Sequence, residues 1–217
     1  MASPILIDCE QRSEAWHLAR CGLLTASRAA DMLAKVKSGE AAARRNLRVQ
    51  LVVERITQRV AEDGYVNAAM QRGIDLEPEA RGAWEAATGH LVMEVGFLRH
   101  NDLPIGCSPD GIVGDWGAGF EVNVPNSATH LDYLRLGGKV PAEYVPQLTH
   151  SLLVTGLPRW HFASYDPRFP EGLQLYRATL EAADADLAGY EAKVREFLAE
   201  VDREQAEVEA MLAKVAA

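Results

Sequence analysis

Residues 105–124 read IGCSPDGIVGDWGAGFEVNV. Two apolar segments, 105–113 and 120–124, flank the turn-forming sequence GDWG. This pattern is typical of two strands that pair as a hairpin. In such a pairing, Asp110 and Glu121 approach each other at one end of a sheet.

Two carboxylates held close together repel each other, and proteins tolerate them when a divalent cation neutralises the pair. Side chains alternate along a strand, so residues 121 and 123 lie on the same side. Asn123 is therefore expected to reach the same bound water or phosphate as Glu121. The spacing alone also fits a second interpretation, in which an Asp-Gly turn is followed by a strand glutamate without any chemical role.

Upstream of the hairpin, the sequence is mainly helical. Capping residues and apolar side chains at helical spacing predict helices over 13–20, 27–36, 41–62 and 66–88. Downstream, the helical pattern gives way to strands with two further helices between them. The strands are predicted at 90–100, 105–113, 120–124, 159–165 and 173–179, and the helices at 129–138 and 143–155. A long acidic helix is predicted over 181–213.

This order of elements predicts an α/β (α+β) fold, with a central mixed β-sheet flanked by helices and a long C-terminal helix. We interpret residues 1–217 as a single domain. Within it, residues 1–89 form a mainly helical part, 90–180 the sheet core and 181–217 the C-terminal helix.

Charge is distributed unevenly along a chain whose net charge is −9. Residues 12–59 hold ten basic and four acidic side chains, whereas residues 181–217 hold four basic and ten acidic ones. The basic stretch is either a phosphate-binding surface or a solvated helix face. In the acidic stretch, apolar residues recur every seven positions and predict a stripe that packs on the body or on another chain. These residues are Leu187, Val194, Val201 and Val208.

Composition excludes several classes of protein. The 217 residues are 48% hydrophobic and 24% charged, which is typical of a globular domain. No run of 18 apolar residues occurs, so we predict no membrane partner, and without a basic leader we predict a cytoplasmic location. Three scattered cysteines without a C-x-x-C pair argue against a disulfide framework or a zinc cluster.

Several blocks of the sequence together resemble one family. In order, they are AWH at 15–17 with Arg20, GLLTAS at 22–27, Gly73 with Glu77, Ala80-Arg81, CSPDG at 107–111, EVNVP at 121–125, RLGG at 135–138, YVPQ at 144–147, and FASYDPR at 162–168 with Glu171-Gly172-Leu173. They resemble the lambda-exonuclease type of viral alkaline exonuclease. These are recombination nucleases of the restriction-endonuclease-like superfamily, also called PD-(D/E)XK. The resemblance runs from about Ser13 to Tyr176, most of the chain, and implies a restriction-endonuclease-like core.

The resemblance implies a metal site at the end of the hairpin. Asp110 and Glu121 match the metal-binding carboxylates, and the carbonyl of Val122 completes the protein ligands. Hard oxygen ligands of this kind suit Mg²⁺ or Mn²⁺. Glu77 matches a further acidic residue beside the metal, and Gln147 matches a polar residue near it.

The resemblance also implies contacts with DNA. Arg20, Ser27 and Ser108 match a pocket that binds the 5′-terminal phosphate, and an arginine fork with two hydroxyls is a sound phosphate receptor. Lys37 matches a basic residue on a DNA-contacting loop. Met70 matches an apolar wedge that separates the end of the duplex.

Asn123 departs from the family pattern, which has lysine at this position. Asparagine donates a hydrogen bond but supplies neither a positive charge nor a proton, and losing one such donor costs about 10²–10³ in rate. We therefore expect the chain to fold and to bind Mg²⁺ and DNA ends, but to be catalytically impaired. The alternative is that another lysine, such as Lys139, takes over the role.

The resemblance implies a metal-dependent 5′-to-3′ exonuclease, an enzyme that digests double-stranded DNA to mononucleotides and leaves a 3′ single strand for recombination. It also implies a homotrimer that encircles DNA and a single-strand annealing protein as a possible partner. Two alternatives stay open. One is a related nuclease of different polarity or an endonuclease, and the other is a non-catalytic DNA-end-binding or scaffold protein.

Overall fold

The computed structural model describes residues 3–60 and 68–215. Its helices are α1 (Glu14–Arg20), α2 (Ala29–Leu33), α3 (Ala42–Thr57), α4 (Ala68–Thr88), α5 (Ser127–Leu134), α6 (Val145–Thr155) and α7 (Leu187–Val215). Its strands are β1 (Ile5–Ile7), β2 (Leu24–Thr25), β3 (Val92–Met93), β4 (Phe97–Arg99), β5 (Ile105–Cys107), β6 (Gly111–Val113), β7 (Ala118–Asn123), β8 (Arg159–Tyr165) and β9 (Leu175–Glu181). The predicted class, mixed sheet with flanking helices and a long C-terminal helix, is confirmed.

The strands form two sheets rather than a single central one. The larger sheet has the order β3-β6-β7-β8-β9, in which β7 runs parallel to β8 and the other pairs are antiparallel. The smaller sheet has the order β1-β4-β5-β2, in which β2 runs parallel to β5. Both sheets are therefore mixed, and the predicted hairpin of β6 and β7 lies inside the larger one.

The predicted strand over 90–100 is divided between the two sheets. Its first part is β3 in the larger sheet and its second part is β4 in the smaller sheet. Gly96 lies at the break, where an added Cβ would come within 2.5 Å of the carbonyl oxygens of Ile7 and Cys9. The segment 105–113 is divided in the same way, because the sequence Ser-Pro-Asp separates β5 from β6. Asp110 consequently lies where the chain crosses from one sheet to the other.

Helix ends differ from the predicted limits where local turns intervene. The helix predicted over 41–62 ends at Thr57, and Gln58 follows it in the left-handed conformation with φ 53°. The predicted acidic helix over 181–213 begins only at Leu187, after a short 3₁₀ turn at Ala182–Asp184. Gln58 stops the helical hydrogen-bond pattern because its backbone leaves the right-handed region.

Helix α7 packs on the body of the protein. Val194, Phe197 and Val201 are fully buried, and the helix contacts α3 and α6. The predicted seven-residue stripe is therefore covered by the chain's own helices over this stretch. Farther along, Met211 is 61% exposed, so the last turns of the helix extend beyond that contact.

The basic stretch of the sequence is partly neutralised by α7. Arg44 Nη1 lies 2.5 Å from Glu200 Oε2, and Arg48 forms an ion pair with Glu204. Both arginines also pair with Glu40, at 3.1 and 2.7 Å. Arg44 and Arg48 therefore hold α7 against α3. This part of the basic stretch is neither a phosphate-binding surface nor a solvated helix face.

Candidate active site

The hairpin brings Asp110 and Glu121 close together, and Asp110 raises the pKa of Glu121. Strands β6 and β7 are antiparallel with Gly111 opposite Phe120, and Asp110 and Glu121 are the next residues beyond that pair. The backbone N–H of Asp110 donates to the carbonyl oxygen of Phe120 at 3.1 Å, one residue away from the regular register, so the regular ladder ends at the Gly111–Phe120 pair. The N–H of Val122 donates to Asp110 Oδ2 at 2.7 Å. The two carboxylates thus meet at one end of the larger sheet.

Both carboxylates carry negative charge that their surroundings compensate poorly. Burial, together with the charge of Glu77, raises the pKa of Asp110 from the ordinary 3.8 to about 7, although the N–H of Val122 works against this shift. Burial and the neighbouring Asp110 raise the pKa of Glu121 well above its usual range. The amide of Gln147, on α6, donates to Glu121 Oε1 at 2.6 Å and stabilises the charged form.

These residues fit a hard divalent cation. In a strand, the N–H and C=O of one residue point to the same side, so the carbonyl of Val122 faces the Asp110 side, as its N–H does. Among the described residues, no three His, Cys, Asp or Glu side chains form a group that could hold a metal. The protein ligands would therefore be two carboxylates and one carbonyl. Mg²⁺ characteristically accepts few protein oxygens and keeps several waters.

Glu77 lies beside this pair but is bound elsewhere. Its Oε2 accepts a hydrogen bond from Nη2 of Arg12 at 2.8 Å, and its charge raises the pKa of both Asp110 and Glu121. Glu77, Arg12 and Asp110 line one cavity of about 370 Å³. The structure thus brings together four of the predicted residues, Asp110, Glu121, Glu77 and Gln147.

Asn123 occupies the last position of β7, two residues after Glu121 and therefore on the same side of the strand. Its neighbour in β8 is Ser164. Lys139, the alternative source of a positive charge, is exposed between α5 and α6, and its carbonyl accepts a hydrogen bond from Tyr176 at 2.6 Å. In the described part of the chain, no contact joins the ammonium group of Lys139 to either carboxylate of the pair.

A second polar group lies two residues before Asp110. Ser108 Oγ accepts hydrogen bonds from Trp16 Nε1 at 2.8 Å and from Arg20 Nη1 at 3.0 Å. The guanidinium of Arg20 also stacks over the Trp16 ring, 3.9 Å from its centroid. A hydroxyl that accepts two hydrogen bonds keeps its own hydrogen available for donation. Ser108 can therefore donate to a ligand next to Arg20.

Trp16 is a site residue to which the sequence alone gave no role. It lies one helical turn before Arg20 on α1, and side chains four residues apart on a helix are neighbours. The four-residue spacing between Trp16 and Arg20 was the signal in the sequence that could have identified Trp16 as a site residue. The contact of both residues with Ser108, about ninety positions away, is visible only in the fold.

Ser27 lies at the same sheet end as Ser108. Strands β2 and β5 are parallel with Thr25 opposite Gly106, and each serine follows its strand residue by two positions. Ser27 is exposed, and its Oγ lies 3.4 Å from Thr25 Oγ1. The fold thus places Ser27 beside the Arg20–Ser108 pair without a direct bond to it in the described contacts.

The remaining two predicted site residues are Lys37 and Met70. Lys37 is exposed in the segment between α2 and α3, away from the hairpin in sequence. Met70 belongs to α4, but its side chain lies outside the described residues.

The model of the YqaJ-like viral recombinase domain matches residues 15–158. The chain belongs to this family. The solved structure of the alkaline exonuclease LHK-Exo from Laribacter hongkongensis is 38% identical, has a TM-score of 0.83, and covers 94% of this chain and 100% of its own. LHK-Exo in complex with dAMP gives a TM-score of 0.84 at the same identity and coverage.

The chain is also similar to two further proteins. A phage related exonuclease from Haemophilus somnus 129PT is 11% identical with a TM-score of 0.64, and covers 88% of this chain and 96% of its own, so it shares the fold. ExoD from Escherichia coli (strain K12) is 35% identical over 77 residues, which are 34% of this chain and 86% of that protein. The predicted membership of the lambda-exonuclease-type family is confirmed, and the family supports a nuclease role.

The raised pKa of Asp110 predicts a pH-dependent stability. The folded state holds a proton between pH 3.8 and about 7 that the unfolded state has lost, so the free energy of unfolding falls as the pH rises through this window. In EDTA, we expect Asp110→Asn to raise the melting temperature at pH 8 and to change it little at pH 4. Asp115→Asn, in the exposed turn of the hairpin, is the matched control. Equal melting of Asp110→Asn and the parent at pH 8 would contradict the prediction.

Proposed function

We propose that the chain is a metal-dependent 5′-to-3′ exonuclease, which digests double-stranded DNA to mononucleotides and leaves a 3′ single strand for recombination. The observation that carries the proposal is the proximity of Asp110 and Glu121 at the end of the hairpin, where the backbone N–H of Val122 also donates to Asp110. Membership of a recombinase family with an alkaline exonuclease among its relatives supports it.

In this proposal Asp110, Glu121 and the carbonyl of Val122 hold Mg²⁺ or Mn²⁺. The bound cation would polarise the scissile phosphate and lower the pKa of an attacking water. Gln147 fixes the carboxylate of Glu121 through its 2.6 Å hydrogen bond, and so keeps one ligand oriented. Glu77 adds negative charge at the rim of the site.

Arg20, Ser108 and Ser27 would bind the 5′-terminal phosphate. The guanidinium and the hydroxyl of Ser108 supply donors, and Ser27 supplies a second hydroxyl at the same sheet end. Ser108 and Asp110 belong to one short segment, so a bound end would be held at a fixed distance from the cation. Hydrolysis breaks the bond between phosphorus and the 3′ oxygen, releases a mononucleotide, and leaves a new 5′-phosphate for the next cycle.

Asn123 favours a second candidate function. Because it supplies no positive charge beside Glu121, the chain is expected to cleave slowly, and a non-catalytic DNA-end-binding or scaffold protein would keep the same phosphate receptor. We rank the impaired exonuclease first because the two carboxylates and Gln147 are all in place.

Several predictions from the resemblance and from the composition stay part of the proposal. Lys37 would contact DNA and Met70 would separate the duplex end. A homotrimer around DNA, a single-strand annealing partner, a single nuclease domain and a cytoplasmic location also stay predictions. None of the described helices is long and apolar enough to cross a membrane.

The proposal is tested with a duplex that carries one 5′-phosphate end and a label in each strand. We expect slow, Mg²⁺-dependent release of labelled mononucleotides from the 5′-phosphorylated strand, and none in EDTA. Internal cuts would indicate an endonuclease, and release from 3′ ends would indicate the opposite polarity. Retention of the duplex without digestion, even after Asn123→Lys, would favour the DNA-end-binding protein.

A further inference from the structure

Arg12 occupies a strained turn next to the candidate active site. Its φ of 70° lies in the left-handed region, which non-glycine residues seldom adopt, and such strain tends to persist at functional positions. The preceding residue, Gln11, pins this turn by donating from Nε2 to the carbonyl oxygens of Pro109 at 2.8 Å and Val95 at 3.0 Å. The turn is therefore fixed to the residue immediately before Asp110.

From this turn, Arg12 reaches the carboxylate of Glu77. The hydrogen bond of 2.8 Å joins the side chain of Arg12, which is 51% exposed, to the side chain of Glu77, which is only 20% exposed. Both side chains line the cavity that also contains Asp110. Glu77 is thus an acidic residue beside the proposed cation site, and its carboxylate is hydrogen-bonded to Arg12.

We propose that Arg12 is a positioning residue, which holds the carboxylate of Glu77 beside the Asp110–Glu121 site and out of its ligand set. This inference rests on the proposed cation site. The held arrangement lowers the affinity for divalent cations, because affinity rises with the number of charged ligands. Arg12 also supplies positive charge at a site where Asn123 supplies none.

The chain offers a matched control for this role. Arg81 lines the same cavity and carries the same charge, and it too favours the ionised form of Asp110, but its ion-pair partner is Glu94. Replacing either arginine by glutamine removes one positive charge from the cavity. Only the replacement of Arg12 frees Glu77.

The test is calorimetric titration of the full-length chain with Mn²⁺, with the Asp110→Asn isotherm defining the site. We expect Arg12→Gln to tighten binding about tenfold, as expected for one added charged ligand. Arg81→Gln should change it by less than about threefold, the scale of a screened charge at a distance. In a Glu77→Gln background, the gain from Arg12→Gln should shrink to that of Arg81→Gln. Thermal melting checks that each variant is folded.

Other outcomes would overturn the proposal. Equal effects of the two arginine replacements would mean that Arg12 acts only as a distant charge, and unchanged or weaker binding by Arg12→Gln would exclude the positioning role. Absence of any Asp110-dependent binding, in every variant, would remove both this role and the cation site. If Mn²⁺ binding by the variants changes as expected but the chain digests no DNA, the exonuclease proposal fails and the positioning role of Arg12 stands.

Discussion

Replacing Asn123 with lysine should raise the rate of 5′-strand digestion by about 10²–10³-fold, the usual worth of one electrostatic donor to a transition state. Position 123 shares a side of β7 with Glu121, so a lysine side chain from it would extend toward the cation site. An ammonium there would orient the attacking water and offset the charge that accumulates on the phosphate. Asparagine offers only a neutral amide at the same place.

Two control variants separate this effect from a change in binding or stability. Asn123→Gln lengthens the side chain without adding charge, and we expect it to leave the rate within about threefold, because no charged donor is gained. Asp110→Asn, combined with Asn123→Lys, should abolish the gain, because the cation site is then lost. Single-turnover digestion with excess enzyme measures the chemical step. No increase in Asn123→Lys would show that the rate is not limited by the missing charge, and the role given to position 123 would be wrong.

The sequence predicted the hairpin well because its signals are local. The apolar stretches, the GDWG turn and the alternation of side chains all lie within twenty residues, and the proximity of Asp110 and Glu121 follows from them. The division into two sheets was not predictable in the same way. Strands β2 and β3 have two residues each, and a pattern with a period of two cannot be recognised over two residues.

The contacts that build the rest of the site join distant parts of the chain. Arg20 and Ser108 lie 88 positions apart, and Arg12 and Glu77 lie 65 apart. The resemblance identified three of these four, but it gave no reason to expect Arg12 at Glu77. Likewise, the charge of the basic stretch left open whether it was a phosphate-binding surface or a solvated helix face, and only the fold placed the acids of α7 against Arg44 and Arg48. The sequence shows which segments are charged. The fold decides which of those charges are already paired with other residues and which can bind a ligand.

Replacing Arg20 with glutamine should remove most of the preference for a 5′-phosphorylated end. We expect the parent chain to bind and digest a 5′-phosphorylated duplex better than a 5′-hydroxyl one. In Arg20→Gln that ratio should fall by about 10–100-fold, because a hydrogen bond to a charged group contributes about 1.5–3 kcal/mol. The remaining Ser108 hydroxyl would be a weaker donor, since it loses the Arg20 bond at 3.0 Å that helps to orient it.

Competition between the two duplexes measures this ratio directly, and it can be read from binding even if cleavage is slow. Arg45→Gln, on the exposed side of α3, is the control that removes the same charge from another place. It should leave the ratio between the two duplexes unchanged, because a charge outside the proposed phosphate receptor carries no information about the end. A parent chain that treats both ends alike would contradict the phosphate receptor. A normal ratio in Arg20→Gln would assign end recognition to other residues, and the stacking of Arg20 on Trp16 would then be structural.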